Sequence, residues 1–258
     1  MCLIAFAWQP DQARPLVVAA NRDEFHDRPA AAMDWWDDAP DILGGRDLRA
    51  GGTWLGSSRR GRFAALTNYR EMQQTAEGAP SRGALVADFL RGSLSPRDYA
   101  AGVDLERYAG FSLLMFDGRE FWFLANRESA GLQRIEPGLH ALSNGALDSP
   151  WPKVRRAREA LDAAMGSDRG TAALLDMMGQ TAPAEDAALP DTGVGIELER
   201  FLSPIFIRGE NYGTRASTAL RWGADGRVEM AERRFGPDGE ALGESRIEFR
   251  SESQGGSR

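Results

Sequence analysis

The chain contains a single cysteine, a single lysine and two histidines among its 258 residues. One cysteine, Cys2, cannot form an internal disulfide, which is typical of a reducing compartment. His26 and His140 do not combine with it in any cysteine and histidine spacing that binds zinc. We therefore expect no metal ion and no cofactor.

Long apolar runs and nucleotide-binding motifs are also absent. The apolar runs are short, as at residues 111–116, whereas a membrane-spanning helix needs about 20 such residues. The first eight residues are apolar but lack the basic segment of a signal peptide. Neither G-x-x-x-x-G-K nor G-x-G-x-x-G occurs. These absences predict a soluble, cytoplasmic protein with no transmembrane segment.

Positive charge is scarcer than negative charge. The 31 basic residues stand against 38 acidic ones, for a net charge of −7. Nucleic-acid binding needs a basic face, so we expect a small-molecule substrate or ligand and no nucleic-acid partner. Every basic residue except Lys153 is arginine, and this bias, with abundant alanine and glycine, suggests a GC-rich bacterial genome.

Hydrophobic periodicity predicts groups of strands separated by pairs of helices. Two N-terminal hairpins join residues 2–8 to 15–20 and residues 52–56 to 62–67. The other predicted strands cover residues 111–116, 120–124, 139–143, 205–207, 214–222, 227–235 and 241–249. The predicted helices cover residues 81–92, 95–101, 152–165 and 171–178, with a mobile loop at 181–195.

Antiparallel hairpins combined with grouped helices predict an α+β layered sandwich rather than a doubly wound fold. We expect one domain over residues 1–250 and a disordered tail over 251–258. In the first hairpin, paired positions sum to about 23, which places Cys2 beside the polar cluster 21–24. The second hairpin places residues 51–52 opposite Asn68.

Cys2 is the strongest candidate for chemistry. If Met1 is removed, Cys2 carries both a thiol nucleophile and a free α-amine whose pKa of about 8 suits a general base. The alternative is a small apolar residue at the start of a strand.

The other candidates gain weight from their expected closeness to Cys2. Asp23 is placed to orient the amine, and Arg22 to hold a substrate carboxylate or stabilise the thiolate; the alternative is a solvated turn. Asn68 and Asn144 follow strands, where amide donors can form an oxyanion hole, although asparagine is also common in turns. Arg215 would orient Cys2 or bind substrate, or would simply be exposed.

Motifs throughout the chain resemble the NRDE-motif family, also called the transport-and-Golgi-organisation family. The resemblance runs in order from residue 2 to about residue 220. It rests on Cys2, Asn-Arg-Asp-Glu at 21–24, Gly-Gly-Thr-Trp-Leu-Gly at 51–56, Leu-Thr-Asn-Tyr-Arg at 66–70, Leu-Ser-Asn-Gly at 142–145, Pro-Trp-Pro-Lys-Val at 150–154 and Tyr-Gly-Thr-Arg at 212–215.

This family is similar to the N-terminal-nucleophile hydrolases, and within them to the penicillin V acylases and bile-salt hydrolases. The resemblance implies a four-layer αββα sandwich. It implies as catalytic residues Cys2, Asp23, Asn68, Asn144 and Arg215, and as substrate-binding residues Asn21, Arg22, Glu24, Trp54 and Tyr69. Those acylases carry an arginine where this chain has Ala20, so their substrate specificity does not transfer.

We therefore expect an amidohydrolase of unknown substrate. The alternative is a non-catalytic carrier of haem or acyl lipid in the same cleft, with His26 or His140 as the candidate haem ligand. A purely structural or interaction protein is the third possibility.

Overall fold

Two antiparallel sheets stack face to face in the computed structural model, which describes residues 2–71, 78–128 and 131–252. In sheet order, the first comprises β10 (Gly138–Leu142), β1 (Cys2–Trp8), β2 (Leu16–Phe25), β11 (Tyr212–Trp222), β12 (Arg227–Phe235) and β13 (Ala241–Arg250). The second comprises β3 (Ala30–Trp36), β4 (Ala39–Asp47), β5 (Leu55–Ser58), β6 (Arg62–Asn68), β7 (Phe111–Phe116), β8 (Phe121–Ala125) and β9 (Gly131–Arg134).

Helices cover the outer face of each sheet. The second sheet is covered by α1 (Arg82–Arg91) and α2 (Pro96–Ala101), and the first by α3 (Pro152–Met165) and α4 (Thr171–Met177). The short helix α5 (Ile196–Phe201) follows them. The predicted four-layer αββα sandwich is confirmed.

β1 is buried along its whole length because both of its faces are covered. Ile4 and Phe6 face the layer between the sheets, whereas Leu3 and Ala5 face α3 and α4. A strand covered on both faces needs apolar residues at every position. The apolar run from Leu3 to Trp8 therefore fits an interior strand.

The first hairpin forms with a slightly different register from the predicted one. Cys2 pairs with Arg22, so paired positions sum to 24, and β2 continues through Phe25. The polar cluster 21–24 therefore lies in a strand and not in a turn. The end of β2 that pairs with β11 is polar and has no apolar alternation, so hydrophobic periodicity did not predict that the strand continues to Phe25.

Several other elements differ from the predicted ones. Strands β3, β4 and β9 and helix α5 were not predicted, and residues 205–207 form no regular strand. Ser251 and Glu252, which we assigned to a disordered tail, donate backbone hydrogen bonds to Gly226 and Arg59. The rest of that tail, and Met1, lie outside the described residues.

No helix in the described part of the chain is long and apolar enough to cross a membrane.

Candidate functional site

A cavity of about 120 Å³ opens between the sheets at the end where β1 begins. The first sheet contributes the start of β1 and the end of β2, and the second contributes the end of β6. The segment before β5 and the start of α1 complete the wall. The lining residues are Cys2, Arg22, Asp23, Glu24, Arg28, Asp47, Thr53, Trp54, Leu66, Asn68, Ser81, Arg82 and Gly83.

Cys2 forms part of the cavity wall and is only 8% exposed. Its carbonyl accepts a hydrogen bond from Ser143 Oγ at 3.3 Å. Burial raises the pKa of the Cys2 thiol, Asp23 and Glu24 act in the same direction, and Arg22 opposes them. The thiol therefore needs a nearby base to react at neutral pH.

Arg22 is the ladder partner of Cys2 and faces the same layer between the sheets. Its guanidinium lies 4.3 Å from the centre of the Trp54 ring and 3.8 Å from Asp47 Oδ2. Asp47 accepts a shorter bond, of 2.6 Å, from Arg28 Nε. Burial acts to raise the pKa of Asp47, but the bond from Arg28 holds it below its usual value.

Asp23 connects the cavity to the helical layer behind it. Its Oδ1 accepts a 2.7 Å hydrogen bond from Thr214 Oγ1. Burial raises the pKa of Asp23, and Lys153 is the strongest of the charges that oppose this. Lys153 is 2% exposed and donates from Nζ to the carbonyl of Leu202 at 3.1 Å. Burial lowers the pKa of Lys153 to about 8, against the attraction of Asp23.

Asn68 and Asn144 are adjacent, but only Asn68 lines the cavity. Asn144 Nδ2 donates to the Asn68 carbonyl at 2.8 Å, and Arg70 N donates to the Asn144 carbonyl at 2.7 Å. Because an amide nitrogen carries two hydrogens, this bond leaves one of them on Asn144. The contact holds Asn68 in place at the cavity.

Besides Asn144, three predicted site residues do not line the cavity: Asn21, Arg215 and Tyr69. Asn21 Nδ2 donates to Met178 and Ile205 carbonyls, because neighbouring residues of a strand face opposite sides and Asn21 points toward the helices. Arg215 lies at an irregularity of β11, and its guanidinium donates to the carbonyls of Phe25 and Arg28. These contacts do not fit the substrate role expected of Asn21, nor a position of Arg215 beside the thiol.

Tyr69 lines a separate and larger cleft of about 790 Å³. Arg70, Asn144 and Trp151 also line it, so the cleft lies on the far side of the contact between the two asparagines. Arg70 is buried, pairs with Glu199 at 2.5 Å and lies 4.9 Å from the Trp151 ring centre. Tyr69 therefore lies in a different cleft from the predicted binding residues Arg22, Glu24 and Trp54.

Sequence reasoning missed Lys153 and Arg82 as functional residues. Lys153 had a usable signal, since it is the only lysine of the chain and lies within a motif. Arg82 had none, because only the packing of α1 against the segment before β5 brings it to the cavity.

The two histidines proposed as haem ligands lie away from the Cys2 cavity. Both ring nitrogens of His140 are engaged, Nδ1 with Asp148 at 2.6 Å and Nε2 with the Glu136 carbonyl at 3.0 Å. His26 does not line the cavity either. Over the described ranges, no group of three or more histidine, cysteine or acidic side chains is arranged to hold a metal ion.

Comparison with known families and proteins finds relatives along most of the chain. The family model described as Transport and Golgi organisation 2 matches residues 1–237. The Transport and Golgi organization protein 2 homologs of Bos taurus and Homo sapiens are each 35% identical to the chain, covering 90% of it and 92% of their own length. These animal relatives overturn the expectation of a bacterial source, because the arginine bias on which it rested does not identify the source.

Solved structures share the fold at very low sequence identity. The Caenorhabditis elegans ortholog of N-acylethanolamine-hydrolyzing acid amidase superposes with a TM-score of 0.54 at 8% identity, covering 85% of this chain and 92% of that one. A mutant of the conjugated bile acid hydrolase from Clostridium perfringens gives 0.53 at 9% identity, covering 96% and 92%. The chain thus has the fold of these N-terminal-nucleophile-type hydrolases.

Proposed function

The chain belongs to the Transport and Golgi organisation 2 family, and from this membership and the geometry at Cys2 we propose that it is an amidohydrolase with Cys2 as its nucleophile. The observation that carries the proposal is the position of the only cysteine. It begins an interior strand, forms a cavity wall, and lies beside Arg22, Asp23 and Asn68. The fold is one that amide hydrolases use.

In the first half of the reaction the thiol attacks the carbonyl carbon of the amide. Removal of Met1 frees the α-amine of Cys2, which accepts the thiol proton and overcomes the raised pKa of the buried thiol. A sulfur–carbon bond forms, and Asn68 donates to the oxyanion. The carbon–nitrogen bond then breaks, and the α-ammonium returns its proton to the leaving amine.

In the second half, water hydrolyses the thioester. The α-amine accepts a proton from the attacking water, the sulfur–carbon bond breaks, and the proton returns to the thiolate as the carboxylic acid leaves. Asp23 has the role of holding the α-ammonium. Lys153, behind it, opposes the rise in the pKa of Asp23 that burial causes. Neither residue exchanges a proton with substrate.

A non-catalytic carrier of acyl lipid is the second candidate. The observation favouring it is the 790 Å³ cleft beside Asn144, which is large enough for an acyl chain and includes the aromatic side chains of Tyr69 and Trp151. Haem is less well supported, because both ring nitrogens of His140 already have partners.

Mass spectrometry separates the two candidates. We expect purified protein to begin at Cys2, and a β-lactam to add its mass to the N-terminal peptide because its strained amide acylates an activated thiol. Cys2→Ser should react far more slowly, and Cys2→Ala should not react while remaining folded. A carrier would bind acyl lipid equally in all three proteins and would not be acylated. Retention of Met1 in all of the protein, or a wild type that the β-lactam never labels, contradicts the hydrolase.

A further inference from the structure

Arg22 is a buried cation that lacks a close carboxylate. Its side chain is 5% exposed, and within the described residues it donates no side-chain hydrogen bond. The nearest carboxylate, Asp47, is 3.8 Å away and is already occupied. Its Oδ2 accepts from Arg28 Nε, and its Oδ1 from the backbone N–H groups of Arg49 and Ala50. The Trp54 ring, 4.3 Å from the guanidinium, and the distant carboxylate of Asp47 leave the donors of Arg22 able to bind an anionic ligand that enters the cavity.

Arg82 lines the same cavity from the start of α1, the helix that covers the second sheet. It donates to the Gly110 carbonyl at 2.9 Å and forms no ion pair with any residue that the structure describes. Burial lowers the pKa of Arg82, and the charge of Cys2 is the strongest of those that raise it. Two arginines, Arg22 from β2 and Arg82 from the start of α1, therefore line the cavity beside the thiol.

The start of α1 adds partial positive charge at the same wall. This helix has ten residues, and Ser81, Arg82 and Gly83 line the cavity. The Ser81 side chain accepts no capping bond. A Cβ on Gly52 would lie 2.5 Å from the carbonyl carbon of Gly83, so a glycine at residue 52 permits this close approach. Exposed N–H groups at a helix start favour anions.

The acidic residues that line the cavity have partners of their own, and Asp47, the nearest carboxylate to Arg22, is 3.8 Å away. Glu24 Oε1 accepts from the N–H of Phe25, and Asp47 is occupied as described. Asp23 bonds to Thr214 and interacts with Lys153 on the helical side. The cavity thus presents Arg22 and Arg82 to whatever enters beside Cys2.

We propose that this cavity is a carboxylate subsite, so that the substrate is an amide bearing a carboxylate a few bonds from the scissile carbonyl. This proposal rests on the proposed hydrolase function. A cavity of about 120 Å³ admits a small group such as acetate or glycine, and the larger part of the substrate would extend beyond it. The carboxylate belongs either to the amine half of the amide or to its acyl half.

Two alkylating reagents of nearly the same shape test the subsite without a known substrate. Iodoacetate carries a carboxylate and iodoacetamide is neutral; each forms a sulfur–carbon bond with Cys2 and releases iodide. Because the chain has one cysteine, mass spectrometry reports only this site. We expect the iodoacetate-to-iodoacetamide rate ratio to exceed that of N-acetylcysteine by about tenfold or more, as expected for a charge-assisted contact. Acetate should compete with iodoacetate, and acetamide should not.

Variants assign the effect to the two arginines. Arg22→Gln and Arg82→Gln should each reduce the rate ratio about tenfold, whereas Arg82→Lys should retain part of it. Arg134→Gln is the matched control, since it removes one positive charge from an exposed side chain on β9, away from the cavity. Circular dichroism checks folding, and acetate competition in the unmutated protein does not depend on any variant.

The outcomes separate this proposal from the hydrolase function. A wild-type ratio equal to that of N-acetylcysteine, or a ratio that neither substitution changes, overturns the subsite, while acylation by the β-lactam would still support the hydrolase. N-acetylglycine and N-butylsuccinamic acid then distinguish the two sources of carboxylate. The first would leave an acetyl group on Cys2, and the second a succinyl group. Acylation by neutral amides alone would also overturn the subsite.

Discussion

The two ends of the layer between the sheets differ in chemistry. At the end where β1 and β2 are joined, the layer is filled by aromatic rings, with Trp8 and Trp222 each within 5.5 Å of Phe116, measured between ring centres. At the other end, it contains Arg22 and the wall of the Cys2 cavity. The same two strands, β1 and β2, run through both ends.

Folding alone explains the first end but not the second. Apolar rings gain free energy when they leave water, whereas buried charges lose hydration that ion pairs only partly return. The helical side adds Lys153, 2% exposed, and Asp23, 1% exposed. A chain that retains such groups beside its only cysteine gives up stability at this end, as functional sites commonly do.

Phe121→Ala should cause the largest loss of stability, because it removes a ring from the aromatic end. Phe121 is fully buried and packs edge-on against Phe6 and Phe116. We expect the free energy of unfolding to fall by about 4 kcal/mol, measured by urea denaturation. Leu242→Ala, at a half-exposed residue of β13, should change it by less than about 0.5 kcal/mol. Equal effects would remove the contrast between core and surface on which the comparison depends.

Lys153→Met should have the opposite profile, with a large effect on activity and a small one on stability. The substitution removes a buried charge whose pKa is lowered to about 8, but it leaves Asp23 without its main stabilising charge. The pKa of Asp23 should then rise further, so that less of it is ionised at a given pH, and acylation of Cys2 should slow by about a hundredfold.

A pH series distinguishes this positioning role from simple damage to the fold. Because the substitution raises the pKa of Asp23, the acylation rate of the variant should recover as pH rises. Its pH profile should be shifted to higher pH than that of the wild type. Ala160→Met, on the same helix at a partly buried position, is the control and should leave the profile in place. A Lys153→Met profile that falls equally at every pH would assign Lys153 a structural role only.

The sequence predicted the elements of the fold in which hydrophobic periodicity is strong. Helix α3 begins and ends at the predicted residues because Val154, Ala157 and Leu161 form an apolar stripe. Strands β3 and β4 were missed because β3 is half-exposed, and the ladder between the two strands is irregular at two places, which breaks the alternation. A local sequence pattern does not identify a strand whose place in the sheet depends on residues far away in the sequence.

The sequence predicted the part of the site that depends on strand pairing. The hairpin placed Cys2 beside Arg22 and Asp23 to within one residue. The faces of the strand were harder to predict, since one step along β2 turns Asn21 toward the helices. Arg82 and Lys153 reach the site through the packing of helices on sheets, which no spacing along the chain encodes.

Glu232 provides the smallest predicted effect on activity, because it lies between the two ends and affects stability without chemistry. It is 2% exposed, and its carboxylate accepts from Met33 N at 2.8 Å, linking the two sheets. Burial raises the pKa of Glu232 to about 7. Between pH 4.5 and 7 the native state therefore binds more protons than the unfolded state, and stability falls as pH rises.

Glu232→Gln should remove this pH dependence while retaining the acceptor for Met33. The variant should match the wild type below pH 4.5 and exceed its free energy of unfolding by at most about 3 kcal/mol above pH 7. Acylation of Cys2 should be unchanged. Glu248→Gln, at an exposed residue of β13, is the control and should leave the wild-type dependence intact. If Glu232→Gln instead loses stability at high pH, the carboxylate is ionised and paired in the native state, and charge is then not confined to the Cys2 end.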